Sequence, residues 1–153
     1  MLFLLYFLVV FSLVGLDQFT KYLIVSHYDV GQFTEVIEGF FNIRYVRNYG
    51  AGFSILQNQR IFLTMISLLC VIALSYLLYT SKKTEKLQRF CYLLIISGSL
   101  GNLIDRIRLT YVVDFLDFIL IGWDYPVFNF ADICICVGCV LLMLTVLLEN
   151  KNA

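Results

Sequence analysis

The chain has 153 residues, of which 61% are hydrophobic and only 14% are charged. A soluble domain carries about 25% charged residues, and a domain of this size cannot bury so much apolar surface inside itself. The composition therefore excludes an ordinary soluble protein and indicates that lipid surrounds most of the chain. Lysine plus arginine and aspartate plus glutamate number 11 each, so no basic excess favours a nucleic-acid partner.

Four apolar segments are long enough to cross a bilayer as helices, which takes about 20 residues each. Helices are expected because lipid offers no hydrogen-bond partner to free backbone groups. We place the spans at about 2–25, 61–80, 87–104 and 128–148. The first span has no preceding basic residue and no small-residue cleavage site, so we expect it to be retained. The prediction is one all-α membrane domain over residues 1–153.

The distribution of basic residues predicts the orientation. The loop 81–89 carries Lys82, Lys83, Lys86 and Arg89, whereas the longer segment 26–60 carries only Arg44, Arg47 and Arg60. Basic residues concentrate in cytoplasmic loops. We therefore expect both termini in the cytoplasm, with the segments around 26–60 and 105–127 outside.

The two outer segments have patterns of their own. Residues 40–46 (FFNIRYV) are aromatic and β-branched, which predicts a short strand or hairpin near the lipid headgroups. Residues 111–123 place apolar side chains at i, i+3, i+4 and i+7, namely Val112, Phe115, Leu116 and Ile119. That spacing predicts a short interfacial helix leading to the fourth span.

Polar residues gather at one depth, at the outer ends of the spans. Ionisable residues inside a membrane are costly and mark function by default. The set consists of Asp17 and Lys21 in the first span, Asn102, Asp105 and Arg106 in the third, Asn129 and Asp132 in the fourth, and Asp114 in the loop before it. Residues from three helices and one loop therefore indicate a single site near the outer leaflet.

The spacing of these residues places them on shared helix faces. Asp17 and Lys21 are four residues apart with the acid first, the favourable order for an ion pair. Asn102 shares a face with Gly98 and Asp105, and the small residue Gly98 lets another helix approach closely. We also expect the side chains of Asn129 and Asp132, three residues apart, to face the same way.

Two carboxylates that share one proton are the chemistry this set favours. His27 is the only histidine, so neither a metal cluster nor a serine–histidine–aspartate triad is expected. Two neighbouring acids in a low-dielectric site cannot both ionise. The ionised one can activate water while the protonated one polarises a peptide carbonyl. This is aspartyl-protease chemistry, and we expect neither a metal nor another cofactor.

Five short motifs carry a resemblance to a known family. In chain order they are DQFTK at 17–21, NYGAGF at 48–53, GNLIDR at 101–106, VVDF at 112–115 and FNFAD at 128–132. Together they resemble lipoprotein signal peptidase (signal peptidase II), a family of aspartyl proteases of the bacterial inner membrane. The motifs extend from the first span to the fourth, so the resemblance covers nearly the whole chain.

The resemblance implies a small extracytoplasmic β-like cradle around residues 40–54, and it implies roles for individual residues. Asp114 and Asp132 would be the catalytic pair. Asp17 and Lys21 would brace the first helix, with Gly50 and Gly101 as further structural support. The residues that would shape the site or hold substrate are Asn48, Asn102, Asp105, Arg106 and Asn129.

The resemblance also implies the substrate and the location. The substrate would be a prolipoprotein whose signal peptide precedes a cysteine carrying a diacylglyceryl group, cut on the N-terminal side of that cysteine. The protein would lie in the bacterial cytoplasmic membrane among lipid, without nucleic acid, and we expect a monomer. One departure from the family is Ser97-Gly98-Ser99 in place of two glycines and an alanine.

Several alternatives remain open from the sequence. Asp105 could pair with Asp132 in place of Asp114, whereas we interpret Asp117 and Asp124 as solvated loop residues. A proton-coupled transporter would also place acids within spans, but it needs polar residues through the cytoplasmic half as well. A thiol oxidoreductase is suggested by Cys136 and Cys139, a C-x-x-C pair that lies in an apolar helix with no basic neighbour.

Overall fold

The structure, a computed structural model, describes residues 2–51, 55–82 and 84–150. Gly52 and Phe53 of the second motif, and Lys83 of the basic loop, lie outside these ranges. The helices are α1 Leu2–His27, α2 Arg60–Thr80, α3 Lys86–Arg108 and α4 Phe130–Asn150. The strands are β1 Phe33–Ile37, β2 Phe41–Asn48, β3 Val112–Leu120 and β4 Trp123–Asp124.

All four helices are long and apolar enough to cross a membrane, as the sequence predicted. Their bounds differ from the predicted spans mainly in α3, which continues to Arg108 instead of ending near 104, and in α4, which begins at Phe130 instead of 128. The last turn of α3 carries Asp105 and Arg106, and both find polar partners there, so the helix does not have to end where the apolar run ends.

Helix α3 lies at the centre of the bundle. About 72% of its most apolar stretch is buried, against 6–17% for the other three helices, and it packs against all of them. Glycines allow this close packing, as predicted. A Cβ at Gly98 would collide with the backbone oxygen of Ala131 in α4, and one at Gly138 would lie 2.6 Å from the Ile95 side chain.

The strands form one antiparallel sheet in the order β1-β2-β3-β4. The hairpin predicted around residues 40–46 is confirmed, since β1 and β2 pair across a turn in which Gly39 has a φ of 64°. Strand β2 also pairs with β3, and Val46 lies opposite Asp114 in this register. The sheet therefore brings β2 and the loop that follows it beside the carboxylate of Asp114.

The interfacial helix predicted over residues 111–123 is wrong, because most of this segment is strand β3. Both faces of β3 are covered. Val113 and Phe115 pack in a cluster with Ile24 and Tyr45, while Phe118 on the other face stacks on an aromatic ring of β2. A strand that is buried on both faces loses the period of two, so its apolar residues reproduced a helical spacing by coincidence.

Two further interpretations are corrected. Asp117 is no solvated loop residue; it is buried in β3, where its carboxylate accepts a hydrogen bond of 3.4 Å from Asn42. Arg89 belongs to the first turn of α3 and is buried instead of lying in an exposed loop. Its guanidinium donates to the side chain and the backbone oxygen of Ser81, at the end of α2, and to the Tyr6 hydroxyl. Arg89 therefore joins three helices at the end opposite the sheet.

Candidate active site

Asp132 occupies the first turn of α4 and takes part in a reciprocal cap. The backbone N–H of Asp132 donates to Asn129 Oδ1 at 3.0 Å, and the backbone N–H of Asn129 donates to Asp132 Oδ2 at 3.1 Å. This is the arrangement of a capping box, which satisfies two donors that a helix start leaves free. The expectation that Asn129 and Asp132 face the same way is confirmed.

Asp114 extends from β3 into the same region and is almost fully buried, with 2% of its surface exposed. Its two oxygens accept hydrogen bonds from amide groups, one from Asn48 at 2.9 Å and one from Asn129 at 2.7 Å. Burial and the negative charge of Asp132 raise the pKa of Asp114 to about 7, against the opposing effect of these hydrogen bonds. Asp114 can therefore hold a proton close to neutral pH.

Two asparagine amides link the acids. Asn129 donates to Asp114 and also to Asn102 Oδ1, the latter at 3.1 Å, while Asn102 donates to Asp132 Oδ1 at 2.8 Å. Asn129 is fully buried and lies between the two carboxylates in this chain of contacts. Asp114 and Asp132, eighteen positions apart in sequence, are thus held in one hydrogen-bonded group.

Both acids line a cavity of about 670 Å³. Of the described residues on its wall, Asn48 is the third with a strongly polar side chain, and most of the wall is apolar. The apolar part is formed chiefly by Phe40, Phe118, Phe128, Ile133 and Val137. A cavity of this kind can hold an apolar chain while placing one of its peptide groups against the carboxylates.

Arg106 and Gly50 support Asn48 from the side of α3. The guanidinium of Arg106 donates to the backbone oxygen of Gly50 at 3.0 Å, and the Gly50 N–H donates to Asn48 Oδ1 at 2.9 Å. Since that oxygen faces Gly50, the amide nitrogen of Asn48 faces Asp114 and donates to it. Arg106 is therefore connected to Asn48 through the backbone of Gly50, in the loop after β2.

The Asp17 and Lys21 side chains form the predicted ion pair, with 2.9 Å between Lys21 Nζ and Asp17 Oδ2. Lys21 also contacts Asp105 Oδ2 at 3.0 Å. The other oxygen of Asp105 accepts a hydrogen bond from Gln18, and Asp105 does not line the cavity. The alternative pairing of Asp105 with Asp132 therefore finds no support in the geometry.

Gln18 also belongs to this group of polar contacts, although no spacing in the sequence indicated it. Its amide donates to Asp17 Oδ2 at 3.2 Å, to Asp105 Oδ1 at 3.0 Å and to the backbone oxygen of Gly101 at 3.2 Å. The sequence does contain one indication of this role, which is that Gln18 is a polar residue directly after Asp17 within a predicted membrane span. Gly101 fits closely here, since a Cβ at this position would lie 2.5 Å from Asp17 Oδ2.

Comparison with known proteins gives one consistent result. A family model described as signal peptidase (SPase) II matches residues 9–148. A lipoprotein signal peptidase of Bacillus pumilus is 40% identical over 147 residues, covering 96% of this chain and 95% of the relative. One of Enterococcus faecalis is 37% identical over 150 residues, covering 97% and 91%. A solved bacterial membrane enzyme, determined by the in meso method at 2.3 Å resolution, has a TM-score of 0.91 and 35% identity, covering 96% of this chain and 90% of its own.

Proposed function

Because the chain belongs to the signal peptidase II family, a family of aspartic peptidases, we propose that it removes signal peptides from prolipoproteins. In this proposal the bond cut lies on the N-terminal side of a cysteine that carries a diacylglyceryl group. Asp114 and Asp132 are the catalytic residues. The observation that carries the assignment is that both acids line one cavity and are linked through Asn129 and Asn102.

The environments of the two acids favour different protonation states. Asp114 is buried in β3 and its pKa is raised to about 7, so near neutral pH it can hold the shared proton. Asp132 accepts one hydrogen bond from the Asn102 amide and one from the Asn129 backbone at the start of α4. Hydrogen-bond donors and a helix N-terminus stabilise negative charge. We therefore assign the general base to Asp132 and the proton donor to Asp114.

The reaction then proceeds in two balanced steps. In the first, water gives a proton to Asp132 while its oxygen bonds to the peptide carbonyl carbon, and Asp114 gives its proton to the carbonyl oxygen. In the second, Asp114 takes a proton back from a hydroxyl of the tetrahedral intermediate, the carbon–nitrogen bond breaks, and Asp132 protonates the departing nitrogen. Both acids return to their starting states, and no cofactor is needed.

The shape of the cavity fits a substrate that is largely apolar. Among the described residues of its wall, the two acids and Asn48 carry the strongly polar side chains, so a peptide group of the substrate is best placed beside them. The apolar remainder suits the acyl chains or the apolar residues of a signal peptide. The specificity for a lipidated cysteine is supported by the relatives, which carry the name lipoprotein signal peptidase.

The orientation is also part of the proposal. The exposed Lys82 and Lys86 lie at the end of the bundle opposite the sheet, and basic loops favour the cytoplasm. Both termini are then cytoplasmic in a bacterial inner-membrane protein. The sheet is extracytoplasmic, and the two acids lie near the outer leaflet.

A cleavage assay tests the function. The purified protein is incubated in lipid with a prolipoprotein that carries diacylglyceryl-cysteine and, in parallel, with the same precursor lacking the lipid. We expect cleavage directly before the cysteine of the lipidated precursor only. Equal cleavage of both precursors would contradict the proposed specificity, and cleavage of neither would contradict the proposed function.

A further inference from the structure

Lys21 does not line the cavity. Its three partners are Asp17, Asp105 and Asn102. Each of them is hydrogen-bonded either to one of the two acids in the cavity or to the residue directly before one of them. Only 3% of the surface of Lys21 is exposed. We propose that Lys21 is a positioning residue that holds the two acids at their working separation and fixes the direction in which Asn102 donates. This inference rests on the proposed function, because it assigns a role in the reaction of that site.

The first part of the role concerns the separation of the acids. Asp17 Oδ1 accepts a hydrogen bond from the backbone N–H of Ala131 at 3.0 Å, and Ala131 directly precedes Asp132. Asp105 Oδ2 accepts one from the backbone N–H of Val113 at 3.1 Å. Val113 directly precedes Asp114, so each catalytic residue follows a residue whose backbone is held by a buried acid.

Lys21 joins these two anchoring acids. Its ammonium lies 2.9 Å from Asp17 Oδ2 and 3.0 Å from Asp105 Oδ2. Asp17 holds the start of α4 and Asp105 holds the start of β3, so the ammonium connects the elements that carry Asp132 and Asp114. Without a cation between them, two buried carboxylates would repel each other, and the distance between those elements would increase.

The second part of the role concerns Asn102. Lys21 Nζ donates to Asn102 Oδ1 at 3.0 Å. An ammonium group has donors only, so it requires the oxygen of the amide on its side. The nitrogen of Asn102 must then face the other way, where it donates to Asp132 Oδ1 at 2.8 Å. With Lys21 removed, the amide could turn and present its oxygen to the Asp132 carboxylate, which would repel it.

A change at Lys21 should also be visible in the pH dependence of the reaction. Among the described residues, the charged groups that act on Asp114 are Lys21 on α1, Arg106 on α3 and Asp132 on α4. Asp17 on α1 and Asp105 on α3 pair with Lys21, while Asn48 on β2 is neutral. The positive charge of Lys21 favours the ionised form of Asp114 and so lowers its pKa. Removing that charge should raise the pKa of Asp114, and the enzyme should keep its proton donor to higher pH.

The test is Lys21→Met, which keeps the length of the side chain and removes its charge. Lys82→Met is the matched control, because Lys82 is exposed at the opposite end of the bundle. Cleavage of the lipidated precursor is measured per folded molecule across the pH range. We expect kcat of Lys21→Met to fall about 100-fold, as for a small displacement of catalytic groups. KM should change little, and the alkaline limb of kcat should move to higher pH.

A second variant addresses folding, since Lys21→Met leaves two buried acids without their cation. In Asp17→Asn/Lys21→Met the amide at position 17 can still accept from Ala131, and Asp105 keeps Gln18 and Val113 as donors. This variant should also be slow, but its alkaline limb should move less than that of Lys21→Met, because it removes a negative charge together with the positive one. A purely structural role would lower the yield but leave kcat per folded molecule and the pH limbs as in the wild type.

The outcomes separate this inference from the proposed function. If the wild type does not cut the lipidated precursor, the proposed function fails. If it does, and either folded variant keeps the wild-type kcat and alkaline limb, only the role of Lys21 fails. Failure of both variants to accumulate, with Lys82→Met normal, would also overturn the inference, because Lys21 would then be required for folding instead of for rate.

Discussion

The carboxylate of Asp132 takes part in the capping box at the start of α4 and also lines the cavity. One of its oxygens closes the capping box with the Asn129 backbone, and the other accepts from Asn102. A cap fixes the rotamer of its side chain, and a catalytic base must be held in one orientation. The contact of Asp132 in the capping box is therefore compatible with its proposed role as a general base, because that contact holds the carboxylate in one orientation.

Asn48 gives a prediction for the pH dependence at the residue scale. Its hydrogen bond to Asp114 favours the carboxylate and lowers the pKa, against burial and Asp132, which raise it to about 7. In the wild type, kcat/KM should fall as the pH rises through about 7, because Asp114 loses its proton. In Asn48→Ala the pKa of Asp114 should rise, and this alkaline limb should move to higher pH.

The control for Asn48→Ala is Asn42→Ala on the same strand. Asn42 is buried and contacts Asp117 rather than Asp114 or Asp132, so its replacement should affect stability without moving the alkaline limb. An alkaline limb in Asn48→Ala that stays in place, or moves to lower pH, would show that Asp114 is not the group that titrates.

The sequence predicted contacts within a helix better than contacts between elements. The Asp17–Lys21 pair followed from a spacing of four residues, and it is present. The contact between Lys21 and Asp105 joins residues 84 positions apart by their numbers, and no local spacing encodes it. Only the shared membrane depth of the polar residues indicated that they would meet.

At the scale of elements, β3 shows where a periodic pattern fails. Its apolar residues satisfied a helical spacing, while their β-branched and aromatic character favoured a strand. Pairing with β2 on one edge decided the outcome, since that edge satisfies the backbone of β3. The difference matters for the site, because a strand turns Asp114 toward the cavity and Val113 and Phe115 toward α1.

The contact between α1 and α3 gives a second prediction. Gly101 lies against Asp17, and an added Cβ would lie 2.5 Å from the carboxylate oxygen that contacts Lys21. Gly101→Ala should displace Asp17 and cost about 1–3 kcal/mol of stability, as overpacking does. It should also lower kcat, since Asp17 holds the backbone before Asp132. Thermal unfolding in detergent and the cleavage assay measure the two effects.

Gly15→Ala is the matched control for Gly101→Ala. It lies on α1, and a Cβ there would meet nothing within 4 Å. Alanine favours a helix over glycine, so this variant should be as stable as the wild type or slightly more stable, with unchanged kcat. Equal behaviour of the two variants would contradict the close packing at Gly101.

At the scale of the whole molecule, the two ends of the helix bundle carry different groups of residues. The sheet and the hydrogen-bonded polar residues around Asp114 and Asp132 lie at one end of the bundle. Arg89, with its contacts to Tyr6 and Ser81, and the basic loop 81–89 lie at the other end. Helix α3 connects them through a largely buried centre. This division was predictable from the sequence, because composition placed the spans and the polar residues fell at a common depth.

The proposed orientation gives a prediction at this scale. A reporter that fluoresces only in the cytoplasm, fused after residue 153, should be fluorescent, because the basic loop directs both termini inward. The same reporter inserted in the turn between β1 and β2, at Gly39, should be dark. The opposite result would place the sheet and both acids on the cytoplasmic side.

The central claim is that Asp114 and Asp132 together cut the peptide bond, and single-turnover cleavage of the lipidated precursor tests it most directly. Asp114→Asn and Asp132→Asn are compared with Asp124→Asn, the same change at an exposed position in β4. We expect either of the first two variants to lose at least about 1,000-fold in rate while remaining folded. Asp124→Asn should cut as the wild type does. Wild-type cleavage by Asp114→Asn or by Asp132→Asn would contradict the claim.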